Sequence, residues 1–204
     1  MNNSKQDILN NLIKEPFINQ RILAAQTGHS LGIVNRSIKE LISEGYLDEE
    51  IRPTEKALRE AKEKAPKNAI ILAAGFGMRM VPINTETPKG LLEIKGERLI
   101  ERTIRQLHEV GITEIYVVVG FMKEQYEYLI DEYGVDLIVA PDYASKNNLH
   151  SLKTAADHLS NSYIIPCDIW CEHNLFRKQE LYSWYMVNNS LKPDSCVLVN
   201  QNME

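Results

Sequence analysis

Long hydrophobic runs are missing from this sequence. No apolar stretch approaches the ~18 residues of a membrane-spanning helix. The opening residues, MNNSKQDILNNLIKEP, are polar and amphipathic, without the apolar centre and small-residue cleavage site of an export signal. The expectation is a cytoplasmic protein with no membrane span. Cysteine is scarce, with only Cys167, Cys171 and Cys196. An odd, sparse set argues against a disulfide framework. Cys167, Cys171 and His173 crowd into CDIWCEH, but no second ligand pair follows at the spacing of a zinc site, so they read as free thiols. A basic surplus is missing too. The net charge is −5, and residues 1–66 hold ten Lys/Arg and ten Asp/Glu, so residues 67–204 carry the whole deficit. No part of the chain is a general magnet for nucleic acid.

What is present suits one ordinary domain or two small ones: 204 residues, 44% hydrophobic and 25% charged. The texture changes near residue 66. Before it, apolar spacing is helical. Ile8, Leu9, Leu12 and Ile13 form one stripe; INQRILAAQTG follows, with Asn19 as N-cap and Gly28 as stop. A third helix runs from the cap Ser30 to Gly45, with Val34, Ile38, Leu41 and Ile42 on one side. Three short helices with a tight TGHS turn resemble a winged helix-turn-helix. The wing is expected as two short strands around Asp48–Glu50, and TEKALREAKEKAP as a connector helix capped by Thr54 and stopped by Pro66. In a DNA-binding version of this fold, the third helix presents Asn35, Arg36 and Lys39 to the major groove. The acids Asp48, Glu49 and Glu50 would repel phosphates, so DNA is expected to be at most a weak partner.

After residue 66, short β-rich runs alternate with helical stretches. The strands are Ala69–Ala74, EIYVVVG, DLIVAP and SYIIPCD; the helices are LIERTIRQLHEVG, KEQYEYLIDEYG and SLKTAADHLS. Such alternation gives an α/β fold with a mainly parallel sheet and helices on both faces. The domains are therefore expected at 1–66 and 67–204. Ligands of such sheets sit beyond the C-terminal ends of the strands, which places Gly75–Arg79, Gly120–Phe121 and Asp168 along one edge.

The loop LAAGFGMRM follows the first strand, where phosphates bind. No Gly-Lys-Ser/Thr closes it, so it is not a Walker A loop, and Met80 stands where a dinucleotide fingerprint needs a third glycine. Its continuation carries more information: LAAGFGMRMVPINTETPKGLLEI brings Arg79 and then Lys89 to a glycine loop, as a triphosphate requires. Leu72, Ala73, Gly75, Gly77, Arg79, Pro82, Thr85, Pro88, Lys89 and Leu91 resemble the signature of nucleotidyltransferases that join an NTP to a phosphorylated acceptor and release pyrophosphate. Further on, YASKNNLHSL is similar to the corresponding segment of bacterial CTP:phosphocholine cytidylyltransferases, with Asn147, Asn148, Ser151 and Leu152 as the discriminating element. The resemblance covers about residues 68 to 176.

Several expectations follow from that resemblance. The fold is the Rossmann-like one of nucleotide-diphospho-sugar transferases. The nucleotide contacts Leu72, Ala73, Ala74, Gly75, Gly77, Asn147, Asn148 and Ser151. Arg79 and Lys89 stabilise the charge that grows on the phosphates, and Asp168 holds Mg²⁺. The partners are CTP or another NTP and a small phosphorylated acceptor, phosphocholine being favoured. A sugar-1-phosphate nucleotidyltransferase is the first alternative; a DNA-binding regulator with a nucleotide-sensing domain is the second. The family's catalytic domain runs well past 138 residues, so the resemblance implies a shortened chain. Most of the acceptor pocket and a second metal carboxylate would lie outside it, so the resemblance implies either a fragment of a longer enzyme or a degenerate relative. The sequence carries no signature of oligomeric state.

Overall fold

A computed structural model gives the fold and describes residues 3–77 and 86–186. Arg79, Pro82, Thr85 and Cys196 lie outside the described residues.

Helix α1 (Asn3–Lys14) buries Ile8, Leu9 and Leu12. Helix α2 (Gln20–Thr27) starts where the Asn19 side chain accepts from the backbone N–H groups of Arg21 and Ile22, both at 3.0 Å. It ends at Gly28, whose φ of 73° a side chain would resist. Helix α3 (Leu31–Ser43) starts at the Ser30 cap and buries Val34, Ile38 and Leu41. Gly45, at φ 75°, follows its end. These helices share one core with Leu47, Ala57 and Ala61. The expected two-stranded wing is reduced to a single antiparallel bridge between Leu47 and Pro53. The cause is local. The Asp48 carboxylate accepts from the backbone N–H groups of Glu50 and Arg52, donors that a ladder would have used, and Pro53 has none to give. Helix α4 (Glu55–Lys64) follows the Thr54 cap and stops before Pro66, as the sequence predicts.

The second part is built on a four-stranded parallel sheet. In chain order its elements are β1 (Asn68–Ala73), a small hairpin of β2 (Glu93–Ile94) and β3 (Glu97–Arg98), α5 (Leu99–Glu109), β4 (Ile115–Val119), α6 (Tyr128–Tyr133), β5 (Asp136–Val139), α7 (Asn148–Thr154) and β6 (Ser162–Pro166). The sheet order is β5-β4-β1-β6. Ile70, Ile71, Val117 and Val118 are fully buried, as strands covered on both faces should be. One face carries Ile100, Ile104 and Leu107 of α5 with Leu129 of α6; the other carries Leu152 of α7 and Ala155.

Two helices differ from expectation. The stretch from Lys123 begins as a 3-10 turn, Lys123–Tyr126, and only then becomes α6. The tighter turn brings Tyr126 and Leu129, three residues apart, into the same core. Helix α7 starts at Asn148, capped by Asn147, and gives way at Ala155 to a 3-10 turn, Ala156–His158.

The last described segment returns to the first core. Leu181 is 2% exposed and packs among the residues of α1, α3 and α4. The Leu181 carbonyl accepts from Gln6, and the Tyr182 hydroxyl donates to Asp7, which also pairs with His29 at 3.0 Å. Behind it, the Tyr163 hydroxyl on β6 accepts from the Arg177 N–H at 3.0 Å. Glu180 is buried there, and burial raises its carboxyl pKa.

Because Leu181 completes a core drawn from the N-terminal helices, Leu181→Ala should destabilise the chain by about 2–5 kcal/mol. Urea unfolding followed by circular dichroism checks this. An unchanged midpoint would contradict the packing described.

Candidate functional site

Strand β1 is paired on both sides, to β4 and to β6. The chain runs from β1 outward through β4 to β5, then crosses back to place β6 on the other side of β1. Connections therefore diverge at the C-terminal end of β1, the position where open α/β sheets form a ligand crevice.

The glycine loop leaves β1 at that point. Ala73 and Ala74 are buried on opposite faces of the sheet, and Leu72 is half-buried, so these three can offer a ligand mainly their backbone. Gly75 is exposed, and Gly77 has a φ of 72°. The loop is braced by the chain that leaves β4: the Phe121 N–H donates to the Ala74 carbonyl at 3.1 Å, and the Phe76 and Phe121 rings meet edge-on at 4.4 Å. Gly120 makes this approach feasible. A Cβ there would stand 2.8 Å from the Ala74 oxygen and 2.6 Å from the Tyr143 ring.

Lys89 and Asp168 meet at the same edge. Lys89 opens a 3-10 turn, Lys89–Leu91, behind the extended Pro88. Asp168 follows β6, whose end is tied to β1 by the Cys167 N–H donating to the Leu72 carbonyl at 3.2 Å. The Lys89 Nζ lies 3.0 Å from Asp168 Oδ2, with the lysine side chain 17% exposed and the aspartate 40%. Gly90 sets the approach: a Cβ on it would stand 3.2 Å from the Cys167 Cβ and 3.1 Å from the Tyr126 hydroxyl. Burial pushes the Cys167 thiol up to about 12, as for a packing group. Burial raises the Cys171 thiol as well, and both cysteines are free. Among the described residues, no three His, Cys, Asp or Glu side chains are grouped to hold a metal ion.

Asn147 spends its side-chain oxygen on the N–H of His150, 3.2 Å away, as the cap of α7. Asn148 is exposed and Ser151 is buried at 5%. Helix α7 packs on β1 and β4, and Tyr143, at the start of this segment, lies against Gly120. Asn35, Arg36 and Lys39 are on α3, in the N-terminal unit. Asn35 donates to Gln20 at 3.3 Å, Arg36 is paired with Glu40 at 2.8 Å, and Lys39 is exposed. Arg36 first, and then Lys5, hold the Glu40 carboxyl below its ordinary range. At the wing, Arg52 pairs with both Asp48 and Glu50, at 2.9 and 2.7 Å.

Sequence reasoning missed Arg102. Its guanidinium holds the carbonyls of Cys171 and Glu172, just beyond Asp168. The available signal was its place on α5, next to the buried stripe of Thr103, Ile104 and Leu107.

Residues 69–178 match the family model of the MobA-like NTP transferase domain. The chain belongs to that family. Residues 1–48 match a winged helix-turn-helix DNA-binding model. Among curated proteins, the chain is 44% identical over 117 residues to the choline-phosphate cytidylyltransferase of Streptococcus pneumoniae, covering 57% of this chain and 51% of that protein. It is 38% identical over 122 residues to the 2-aminoethylphosphonate cytidylyltransferase of Lancefieldella rimae, covering 58% and 50%. A solved structure of the CTP:phosphocholine cytidylyltransferase from Streptococcus pneumoniae superposes with a TM-score of 0.53 at 44% identity, over 54% of this chain and 49% of that one. The chain thus spans about half the length of the curated relatives it matches. Among the described residues no helix is long and apolar enough to cross a membrane.

Gly120→Ala forces a methyl group into a backbone oxygen and a ring that cannot both retreat. The expected cost is about 1–3 kcal/mol, the scale of overpacking. A thermal melt checks it; a melting temperature equal to wild type would mean that the Ala74–Phe121 brace is looser than described.

Proposed function

We propose that the protein transfers CMP from CTP to phosphocholine or a similar small phospho-alcohol and releases pyrophosphate. The observation that carries this reading is the Lys89–Asp168 pair at the C-terminal edge of β1 and β6, beside a glycine loop. The similarity to cytidylyltransferases of phosphocholine and of a phosphonate supports the base and the acceptor class.

The chemistry is an in-line displacement. An oxygen of the acceptor phosphate bonds to the α-phosphorus, the α–β bridging bond breaks, and its electron pair leaves with pyrophosphate. No protein nucleophile is needed; the protein must orient the two phosphates and offset growing negative charge. Lys89 neutralises the α-phosphate, and Arg79 serves the leaving phosphates. Gly75 and Gly77 let the backbone approach, with Leu72, Ala73 and Ala74 giving main-chain contacts. Asn147, Asn148 and Ser151 contact the nucleotide.

Asp168 is the residue that would hold Mg²⁺. It offers a hard carboxylate oxygen at a strand end and is 40% exposed, which fits an ion held mainly by phosphate oxygens and water. When bound, the ion supplies charge neutralisation at the phosphate oxygens. Lys89 and Asp168 neutralise one another. With Mg²⁺ and a triphosphate bound, Asp168 would hold the ion and Lys89 would face a phosphate oxygen, so neither charge would be left bare.

In this reading residues 1–66 are the winged-helix unit, its core completed by Leu181 of the later chain, and residues 67–204 the transferase part. The first unit serves regulation or docking more than tight DNA binding.

Titration calorimetry with CTP, ATP, UTP and dTTP in Mg²⁺ tests the nucleotide. CTP should bind most tightly; equal affinities, or no binding, would contradict the assignment. Pyrophosphate release with phosphocholine, 2-aminoethylphosphonate and glucose-1-phosphate then separates the acceptor classes.

For DNA, the neutral first unit lacks the Lys/Arg surplus that displaces counterions. Random duplex should bind at roughly 10⁻⁴ to 10⁻⁶ M at physiological salt. Fluorescence anisotropy measures this. Nanomolar binding that is lost in Arg36→Ala would instead favour a DNA-binding regulator.

A further inference from the structure

Asp168 stands on a short stretch between two anchors. Before it, Cys167 is buried and hydrogen-bonded to Leu72 of β1. After it comes Trp170, and the guanidinium carbon of Arg102 lies 4.2 Å from the centre of the Trp170 ring. The same guanidinium donates from Nε to the Cys171 carbonyl at 2.9 Å and from Nη2 to the Glu172 carbonyl at 2.6 Å. Its remaining nitrogen is paired with Glu97 at 2.8 Å, and its side chain is only 15% exposed. One turn further along α5, Gln106 donates to the same Cys171 carbonyl at 3.4 Å, and the Gln106 carbonyl accepts from Asn174 at 2.7 Å.

We propose that Arg102 is a positioning residue that fixes Asp168 opposite Lys89. This rests on the reading of Asp168 as a metal-holding residue. A carboxylate that must share an ion with phosphate oxygens has to be held within about 0.5 Å of its working place. The stretch from Asp168 to Trp170 belongs to neither a helix nor a strand. Its placement therefore comes from its ends. Cys167 supplies one end and Arg102 the other, through two consecutive carbonyls and a stacked ring.

Arginine suits this task and lysine does not. A planar fork can serve two carbonyls while its face lies on an indole, whereas an ammonium is a single point of charge. A purely structural role is the competing explanation, and exposure separates the two. Cys171 is half-buried and Glu172 exposed. Water can replace the lost donors at both carbonyls, so the fold should survive removal of Arg102 while the place of Asp168 is lost.

The test uses Arg102→Ala, Arg102→Lys and Asp168→Asn in the full chain. CTP affinity is measured by calorimetry with Mg²⁺ and with EDTA, and amide hydrogen exchange is followed over residues 167–174. In wild type, Mg²⁺ should strengthen CTP binding. Arg102→Ala should cut that gain about tenfold, the lower end of the effect of removing a group that orients a metal ligand. Its affinity in EDTA should stay within about twofold of wild type, and Arg102→Lys should not restore the gain. Exchange should quicken over 167–174 and stay unchanged over β1. Adding Arg102→Ala to Asp168→Asn should cost nothing further, since the group being positioned is already gone. A wild-type Mg²⁺ gain in Arg102→Ala, or an equal loss with and without metal, overturns the proposal. Wild-type protein that binds no CTP under either condition overturns the cytidylyltransferase reading, and the proposal with it.

Discussion

The two-sided pairing of β1 is the constraint on which the rest depends. Five residues of β1 pair with β4, and five with β6, all in parallel. Parallel neighbours start at one end of the sheet and finish at the other, so all their outgoing loops gather on one edge. The reversal of connections at β1 leaves a crevice there that no crossover helix covers. Asn68 locks the other end: it is 3% exposed, donates to the His158 carbonyl at 2.8 Å and accepts from Ser162 at 2.6 Å. With its start pinned to β6 in this way, β1 delivers Ala74 and its glycines to the edge in fixed register.

Within that frame, the site is arranged around small residues and opposed charges. At Gly120 a side chain would collide with the Ala74 oxygen and the Tyr143 ring, and at Gly90 it would crowd the Tyr126 hydroxyl and the Cys167 Cβ. The ion pair of Lys89 and Asp168 is partly exposed and adds little to stability. In the proposed function its value is in being divisible: a lysine and a carboxylate held 3.0 Å apart could each take a new partner when a metal-bound triphosphate binds. The Cys167 thiol stays protonated and packed beneath the ion pair.

Much of this was legible because it is local. Helix caps Asn19, Ser30 and Thr54 act through neighbours two or three residues away, and Gly28 and Gly45 stop helices through their own φ. Strands of β-branched residues bounded by glycine read true for the same reason. Boundaries moved by a residue where tertiary bonds decided, as at Asn68. The wing is shorter than the two strands expected because Asp48 folds the turn around its own carboxylate. The site was half legible. The strand-end rule puts Asp168 and the glycine loop that Lys89 follows on one edge, and the fold adds their direct bond across 79 positions. Asn147 and Asn148 were chosen from a motif, and the structure finds Asn147 employed as a cap. Arg102 and Leu181 were hard to read because the carbonyls of Cys171 and Glu172 and the residues of the first core that they serve are distant in sequence. Arg79 lies outside the described residues.

In the proposed function Lys89 and Asp168 receive a metal-bound nucleoside triphosphate at the edge of β1 and β6. A crystal structure of the protein grown with CTP and Mg²⁺ tests it most directly. The expected map shows the triphosphate beyond the ends of β1 and β6, Asp168 on the metal, and the Lys89 ammonium moved from Asp168 to a phosphate oxygen. A nucleotide bound elsewhere, with the 3.0 Å Lys89–Asp168 bond intact, would contradict it.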